Sequence, residues 1–563
     1  MIGLVLSLTF NASEAQATRS DEFFTAFGEG TGSGDDLVRQ IQEQLSAMGF
    51  YQGPLEGESN KALVRAIKAY QKQIGHKADG LITESLLEHM ETQARVSVML
   101  NNLNGVREKR VKEAREALLQ KEETKKLLDR SKVDKIADPT RDASPCFEEP
   151  DERCLLREAV ESAKAIHKNE LRDWAFGEIL VAQAKSGLLE DAISTVQRIG
   201  DARLIIVALR DIARAQARAG RIKDAQAAIK IIPDAFNRLE ALSAIADIQL
   251  KNGNGSGAHE TSAQIISQSR DLKNPLQQVT LLAQMAIVFA KVGDTGATEQ
   301  ALEEATRISR SPGLLETDDS IKKGAALRHI ASALAEIGQP MQALSLIEEV
   351  TGTYDRTAVL MSAATALANA GETNAALATA SQIESGRYQS VVLGRIAIAF
   401  AKQKNLEQAA QTVARALDVT NNVEMPYARS YAIGQLALSL IEIGTQIEVS
   451  TLKNAVDTAQ EIENDRLRAH MLWKAAAAMS RKGLTNELVA VEKLAQDATE
   501  AINSALSQVW MLGDLATETL QKGQGKRAWQ AFEQGLKIAE DIHNAWGRAR
   551  ALAKLASTLG DFP

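Results

Sequence analysis

The side chains best placed to do chemistry fall into a few patterns. Arg210, Arg214 and Arg218 stand at i, i+4 and i+8, which puts three guanidinium groups in one stripe on one helix. Trp174 and Lys185 take comparable positions in a neighbouring stretch. Guanidinium groups pair with carboxylates in bidentate fashion, so such a stripe suits an acidic peptide or another carboxylate-bearing partner. Arginine at this spacing is also what a solvated helix face contains, and Asp211 and Asp224 neutralise part of the charge. Cys146 and Cys154 lie close together around Pro150. In an exported protein such a pair is expected to oxidise to a disulfide. The loop is short, so the expected stabilisation is below the ~3 kcal/mol of a 15-residue loop.

No catalytic constellation emerges. His76, His89, His167, His259, His329, His470 and His543 are scattered, and no two have metal-ligand spacing on one helix. There is no Gly-x-Ser-x-Gly elbow, and the cysteines lack an evident base partner. The run Gly28-Glu29-Gly30-Thr31-Gly32-Ser33-Gly34 follows no strand and ends in no Gly-Lys-Ser/Thr, so it reads as a flexible linker and not a phosphate loop. The expectation is a non-enzyme with no catalytic residue, no metal and no cofactor. A net charge of −8 argues against a general nucleic-acid binder.

These residues are carried by a repeating helical hairpin. Turn residues recur in register at Gly187, Gly220, Gly253, Gly293, Gly338, Gly371, Lys404, Gly444, Gly483, Gly523 and Gly560. Seven positions earlier stands Leu180 in the first copy and alanine in the others, from Ala213 and Ala246 through Ala516 and Ala553. Five positions after the turn a second alanine recurs at Ala192, Ala225, Ala258, Ala343, Ala376, Ala409 and Ala528. Small residues let two antiparallel helices approach, and glycine ends the first helix where a left-handed conformation is needed. One hairpin cannot bury its apolar face alone, so neighbours stack and share a core. Few prolines and aromatics among many alanines and leucines fit close-packed helices.

Ile212-Ala213, Gly220 and Ala225 match the tetratricopeptide repeat in spacing. The chain resembles that family, although the family's aromatics are mostly missing and several units run long. The resemblance implies a superhelical array whose first helices line a concave face for proteins or peptides. The partner-binding candidates on that face are Trp174, Lys185, Arg210, Arg214 and Arg218.

Before the array, residues 35–92 read as three short helices joined by glycine-rich turns. Ile41-Gln42, Leu45, Gly49-Phe50-Tyr51, Gly53, Glu56-Gly57, Tyr70-Gln71, Gly75 and Asp79-Gly80 resemble the small peptidoglycan-binding domain of bacterial wall enzymes. The family usually follows each acidic-Gly pair with a further glycine and a threonine. Here Ser59-Asn60 and Leu63 follow the first pair, and Thr83 and Leu86 the second. The resemblance implies wall binding, with Tyr51 stacking on sugar and Glu56 and Asp79 accepting hydrogen bonds. Gly-flanked acids also hold loops by side chain to backbone bonds.

The expected organisation is an export signal over 1–17, ending in Ala15-Gln16-Ala17 but lacking a basic n-region. A linker over 18–34 and the module over 35–92 follow. Then come a charged spacer helix over 93–136, a Pro/Cys linker over 137–154 and the repeats over 155–563. The expected fold is all-α: a small three-helix module plus an α-solenoid of about eleven helical hairpins. No run is expected to span a membrane. The expected function is a periplasmic, non-enzymatic scaffold tethered near peptidoglycan, with protein partners on the concave face. The alternatives are an accessory subunit or cryptic enzyme of wall remodelling, and a cytoplasmic tetratricopeptide-type assembly protein.

Overall fold

A computed structural model describes residues 34–74, 77–129, 133–134, 136–311 and 320–563. The expected export signal and nearly all of the glycine linker lie outside the described residues. Among those described, every regular element is a helix. The chain divides into two compact units, Met1–Glu113 and Ala114–Pro563.

In the first unit, α1 (Gly34–Ala47), α2 (Lys61–Gln73) and the start of α3 (Glu84–Leu119) enclose a small core. Ile41, Leu45, Leu63, Ile67 and Met90 are fully buried in it, at helical spacing. Asn60 caps α2, its side chain accepting from the Ala62 and Leu63 amides and so satisfying two of the free donors at the helix start. The third helix of the module and the charged spacer are one element of 36 residues, not two. Only Gly105 interrupts the helix-forming sequence beyond the module, and one such glycine costs about 1 kcal/mol, too little to break a long helix.

The second unit is built of hairpins. The short α4 (Glu122–Lys125), α5 (Ser144–Glu148) and then α6 (Glu152–Lys164) precede them. The first four hairpins pair α7 (Asn169–Lys185) with α8 (Leu189–Val196), α9 (Ala202–Arg218) with α10 (Ile222–Ile231), α11 (Ala235–Lys251) with α12 (Gly255–Ser269), and α13 (Pro275–Val292) with α14 (Thr295–Ser309). The next three pair α15 (Ser320–Glu336) with α16 (Pro340–Ser345), α17 (Thr353–Asn369) with α18 (Thr373–Ala380), and α19 (Gly386–Lys402) with α20 (Leu406–Asn421). Then come α21 (Pro426–Gln446) with α22 (Thr451–Gln460), α23 (Asp465–Lys482) with α24 (Thr485–Glu500), and α25 (Ala505–Gln521) with α26 (Gly525–Glu540). The last helix described is α27 (Ala545–Leu559).

The register residues do what their types predict. Ala213, Ala246, Ala286, Ala331, Ala364 and Ala397 are each 0% exposed, at the crossings of the hairpins. Lys404, in place of a turn glycine, takes a φ of 63°, the only positive φ of a non-glycine among the described residues. Gly560 ends α27 at a φ of −67°, without the left-handed turn, and Gly444 also departs from the expected turn. It lies inside α21, and a Cβ there would sit 2.7 Å from the Leu452 side chain. Its smallness therefore serves close helix approach and not a left-handed cap.

The solenoid closes on itself. The first helices pack side by side from α7 through to α27, and α27 packs in turn against α7. The second-helix place beside α27 is taken by α6, which comes from before the first hairpin. The eleventh hairpin is thus assembled from the two ends of the array. Buried Glu158 on α6 accepts from Arg548 on α27 at 3.3 Å, and Glu178 on α7 takes both prongs of Arg550 at 2.8 and 2.7 Å. Lys185 donates to the Ser557 carbonyl and pairs with Asp561. A side chain on Gly560 would meet Glu152 at 2.5 Å.

Two expected linkers are fixed in place. Ala114 and Leu118 at the end of α3 are buried in the same core as the ring helices. Lys121 donates to the Lys230 carbonyl at 2.6 Å, and Gln197 to that of Lys126 at 3.0 Å. Arg141 grips Glu158 with bonds of 2.6 and 2.8 Å. Residues 114–129 and 137–154 therefore form a strap on the ring and not a spacer and a hinge. The expectation of no later run long enough to cross a membrane also needs correction. Pro275–Val292 is long and apolar enough by length and composition, but it is α13, packed between α11 and α15.

Candidate functional site

Both acidic-Gly turns of the module are held by the same device. Gln42 on α1, 0% exposed, accepts from the Gly57 amide at 2.9 Å and donates to the Glu58 carbonyl at 2.9 Å. Gln71 on α2 accepts from the Gly80 amide at 2.8 Å and donates to the Asp79 carboxylate at 2.8 Å. Each glutamine thus reaches from a helix to pin the glycine of one loop, and Gly57 and Gly80 take positive φ of 81° and 76°. Gln42 and Gln71 were matched in the sequence only as members of a pattern; their shared task appears in the structure.

The structure corrects one of the three wall-binding candidates. Tyr51 is 2% exposed and belongs to the module core, so its ring is not free to stack on a sugar. Its hydroxyl donates to the Pro54 carbonyl at 3.1 Å and accepts from Asn60 at 2.9 Å. The ring turns inward over Gly53, where a Cβ would collide with the Tyr51 hydroxyl. Glu56 and Asp79 are exposed. Hydrogen bonds from the Leu81 amide and Gln71 hold the Asp79 carboxyl below the usual carboxylate range. Leu55 and Leu81, flanking the two acids, are exposed at 42% and 60%. The loops therefore present acid and apolar side chains together.

In the ring, the first helices touch one another all the way round, whereas the second helices make no comparable mutual contact. The inner circumference of a closed array is the shorter one, so the first helices form the inner wall. Eleven helices at ~8–10 Å spacing close a circle roughly 30 Å across between opposite axes. Arg210, Arg214 and Arg218 share the wall face of α9, but two are occupied. Arg210 bonds Asp211 at 3.2 Å and Glu240 on α11 at 3.5 Å, and Arg214 lies 3.8 Å from Asp211. Burial lowers the Arg214 pKa. Lys185 is committed to closing the ring. Trp174 is 56% exposed, its indole N–H donating to Glu178 at 2.9 Å.

The greater concentration of recognition chemistry lies elsewhere. Three of the five tryptophans, Trp174, Trp510 and Trp546, sit on α7, α25 and α27, and closure of the ring brings α7 beside α27; Trp473 on α23 instead donates to Thr499 on α24 at 2.9 Å. The Arg550 guanidinium lies 5.8, 5.0 and 4.6 Å from the rings of Trp174, Trp510 and Trp546. Nearby, burial raises the pKa of Glu518, but the His470 bond and the Lys474 charge outweigh it and hold the group at about 2. Part of this cluster had a signal in the sequence: Trp174, Trp510 and His470 all stand 13 positions before their turn residue, whereas Trp546 stands 14 before its own. Among the described residues no three His, Cys, Asp or Glu side chains converge as metal ligands. Cys146 on α5 and Cys154 on α6 are joined, with Cα atoms 5.4 Å apart.

Residues 34–90 match the family of the putative peptidoglycan binding domain. No curated protein matches this chain. Among solved structures, Ton1535 from Thermococcus onnurineus NA1 is 15% identical, over 62% of this chain and 98% of that one, with a TM-score of 0.29. A circular tandem repeat protein with novel repeat topology is 11% identical, over 93% and 96%, with a TM-score of 0.16. Closure of the ring is carried by the packing of α27 on α7 and α6. The chain thus joins a stretch matching the peptidoglycan-binding family to a helical-repeat array.

Proposed function

We propose that this protein is an exported, non-enzymatic scaffold of the bacterial cell envelope. Residues 34–90 hold it at peptidoglycan, and the ring presents its inner wall to partners. The observation that carries this reading is the match of residues 34–90 to a peptidoglycan-binding family in a chain whose remainder is a helical-repeat array. Within the module, the acids on the Gln-pinned loops supply the acceptors for glycan or stem peptide, in place of the buried Tyr51.

Sedimentation with purified sacculi tests the reading. The full chain is expected to pellet with sacculi. The Gln42→Ala/Gln71→Ala variant leaves two buried loop amides without acceptors, at about 1–3 kcal/mol each. Together these exceed the ~1.4 kcal/mol of one tenfold step, so the loops lose their fixed form and retention is expected to fall by more than about tenfold. The melting transition of the ring should not move. A wild-type chain that stays in the supernatant contradicts wall tethering, and a cleared band on a peptidoglycan zymogram contradicts the non-enzyme assignment.

A further inference from the structure

The sixth to eighth hairpins carry cations that the fold leaves without counter-ions. Arg387, on the first turn of α19, stacks on Tyr388 at 5.1 Å and on Tyr431 at 4.4 Å. Its Nε is buried with no hydrogen-bond partner. It lines a cavity of about 580 Å³ at the starts of α19 and α21, together with Tyr388, Met425 and, from the end of the second helix α20, Val419. Glu384 and Glu424 line the same cavity but do not come within ion-pair distance of it. Arg395, two turns further along α19, is open to solvent yet crowded by surrounding protein, which lowers its pKa. Its bond is to the neutral Thr365 hydroxyl at 3.2 Å. The nearest acid acting on it, Glu442, bonds Lys402 at 3.3 Å. The Tyr431 side chain is thus approached by two guanidinium groups, at its ring by Arg387 and electrostatically by Arg395.

Around these cations stand exposed aromatic rings, of which Tyr354 already has the Arg328 guanidinium 5.7 Å from its centroid, and hydroxyl groups. Tyr354 at the start of α17 and Tyr427 at the start of α21 are 68% and 62% exposed. The adjoining wall is hydroxylic, with Ser332 and Ser362 sharing a bond of 3.3 Å beside Thr365. A peptide hot spot wants an anchor in a dry apolar pocket. Single exposed rings on a wet, hydroxylic wall suit the apolar face of a pyranose instead, with hydroxyls left to exchange hydrogen bonds. Arginines lacking carboxylate partners add a demand for an anion, most directly a carboxylate held in two-pronged fashion.

We propose that the inner wall of hairpins six to eight is a second binding site, for a carboxylate-bearing glycan. Arg387 and Arg395 take the carboxylate, and Tyr354 and Tyr427 take the sugar faces. This site deepens the envelope reading and rests on it: the lactyl carboxylate of a wall glycan is free only where its stem peptide has been removed, and a wall-held protein meets such stripped strands at high local concentration.

The test is calorimetric titration of the full chain with two disaccharides. One is N-acetylglucosaminyl-N-acetylmuramic acid, and the other is diacetylchitobiose, which lacks the lactyl carboxylate. The acidic sugar is expected to bind about tenfold more tightly or better, the size of one charge-assisted bond. In the Arg387→Gln/Arg395→Gln variant that preference should vanish while affinity for the neutral sugar stays. The variant removes uncompensated charge, so its melting temperature should hold or rise. Equal affinity for the two sugars, or undiminished preference in the folded double variant, overturns the site. Tighter binding of an acidic proline-rich peptide than of either sugar also overturns it. Sacculus retention with no sugar preference sinks this site alone, whereas the envelope reading fails on retention itself.

Discussion

A chain cut after Asn544, which lacks α27 and the four residues after it, is expected to lose the cooperative unfolding transition of the ring. An interior helix of an open array touches its neighbours on each side, and the loss of a terminal one is local. Here α27 is both the last helix and the neighbour of the first. Its removal bares α25, α7 and α6 together. Leu552 and Leu555 are fully buried, and Arg548 and Arg550 hold the two acids of the seam. Burial of two leucines contributes about 3–6 kcal/mol, and breaking buried ion pairs adds to that. A loss on the order of 10 kcal/mol is expected, read by calorimetry as an early, broad melt. A loss no greater than that of one exposed surface helix contradicts closure.

Glu158→Ala is expected to cost about 3 kcal/mol in urea unfolding, in the range for breaking a buried ion pair by removing one partner. Glu158 is 5% exposed and joins three segments: the strap through Arg141, its own helix through Ser162, and the last helix through Arg548. Its removal leaves two guanidinium groups facing an empty site. Glu158→Gln keeps the shape and one acceptor, and should recover part of the loss. A change below about 1 kcal/mol, the size of a surface pair, means that the seam is not held there.

The hairpins were legible in the sequence because each is local. Alanine and glycine in fixed register report a crossing and a turn within one unit, and the module's glycines report tight loops in the same way. The seam was not legible. α6 follows Pro150-Asp151 and lacks the turn glycine that marks other second helices, and its partner lies 390 residues away in the Glu158–Arg548 contact. The same distance hid the role of Lys185, which looks like a groove cation until Asp561 is placed beside it. Tyr51 misled for a different reason. An aromatic between glycines reads as a displayed ring, and only the space above Gly53 shows that it folds inward. The expected site was a cationic and aromatic stretch of the first helices. Arg210 and Arg214 are already paired, while Arg387 and Arg395 lack acidic partners because their counterparts across the wall are hydroxyls and rings.

That wall exists as one enclosed surface only if the array closes through its own ends, and a zero-length crosslink tests this directly. Carbodiimide joins an amine to a carboxylate only when they touch. Lys185 and Asp561 are paired, and their side chains are 24% and 30% exposed, open enough to react. Treatment of the monomer followed by peptide mass analysis is expected to yield an intrachain Lys185–Asp561 amide, lost in Asp561→Asn. A monomer that forms other crosslinks but not this one, or that forms it only between chains, contradicts the closed ring.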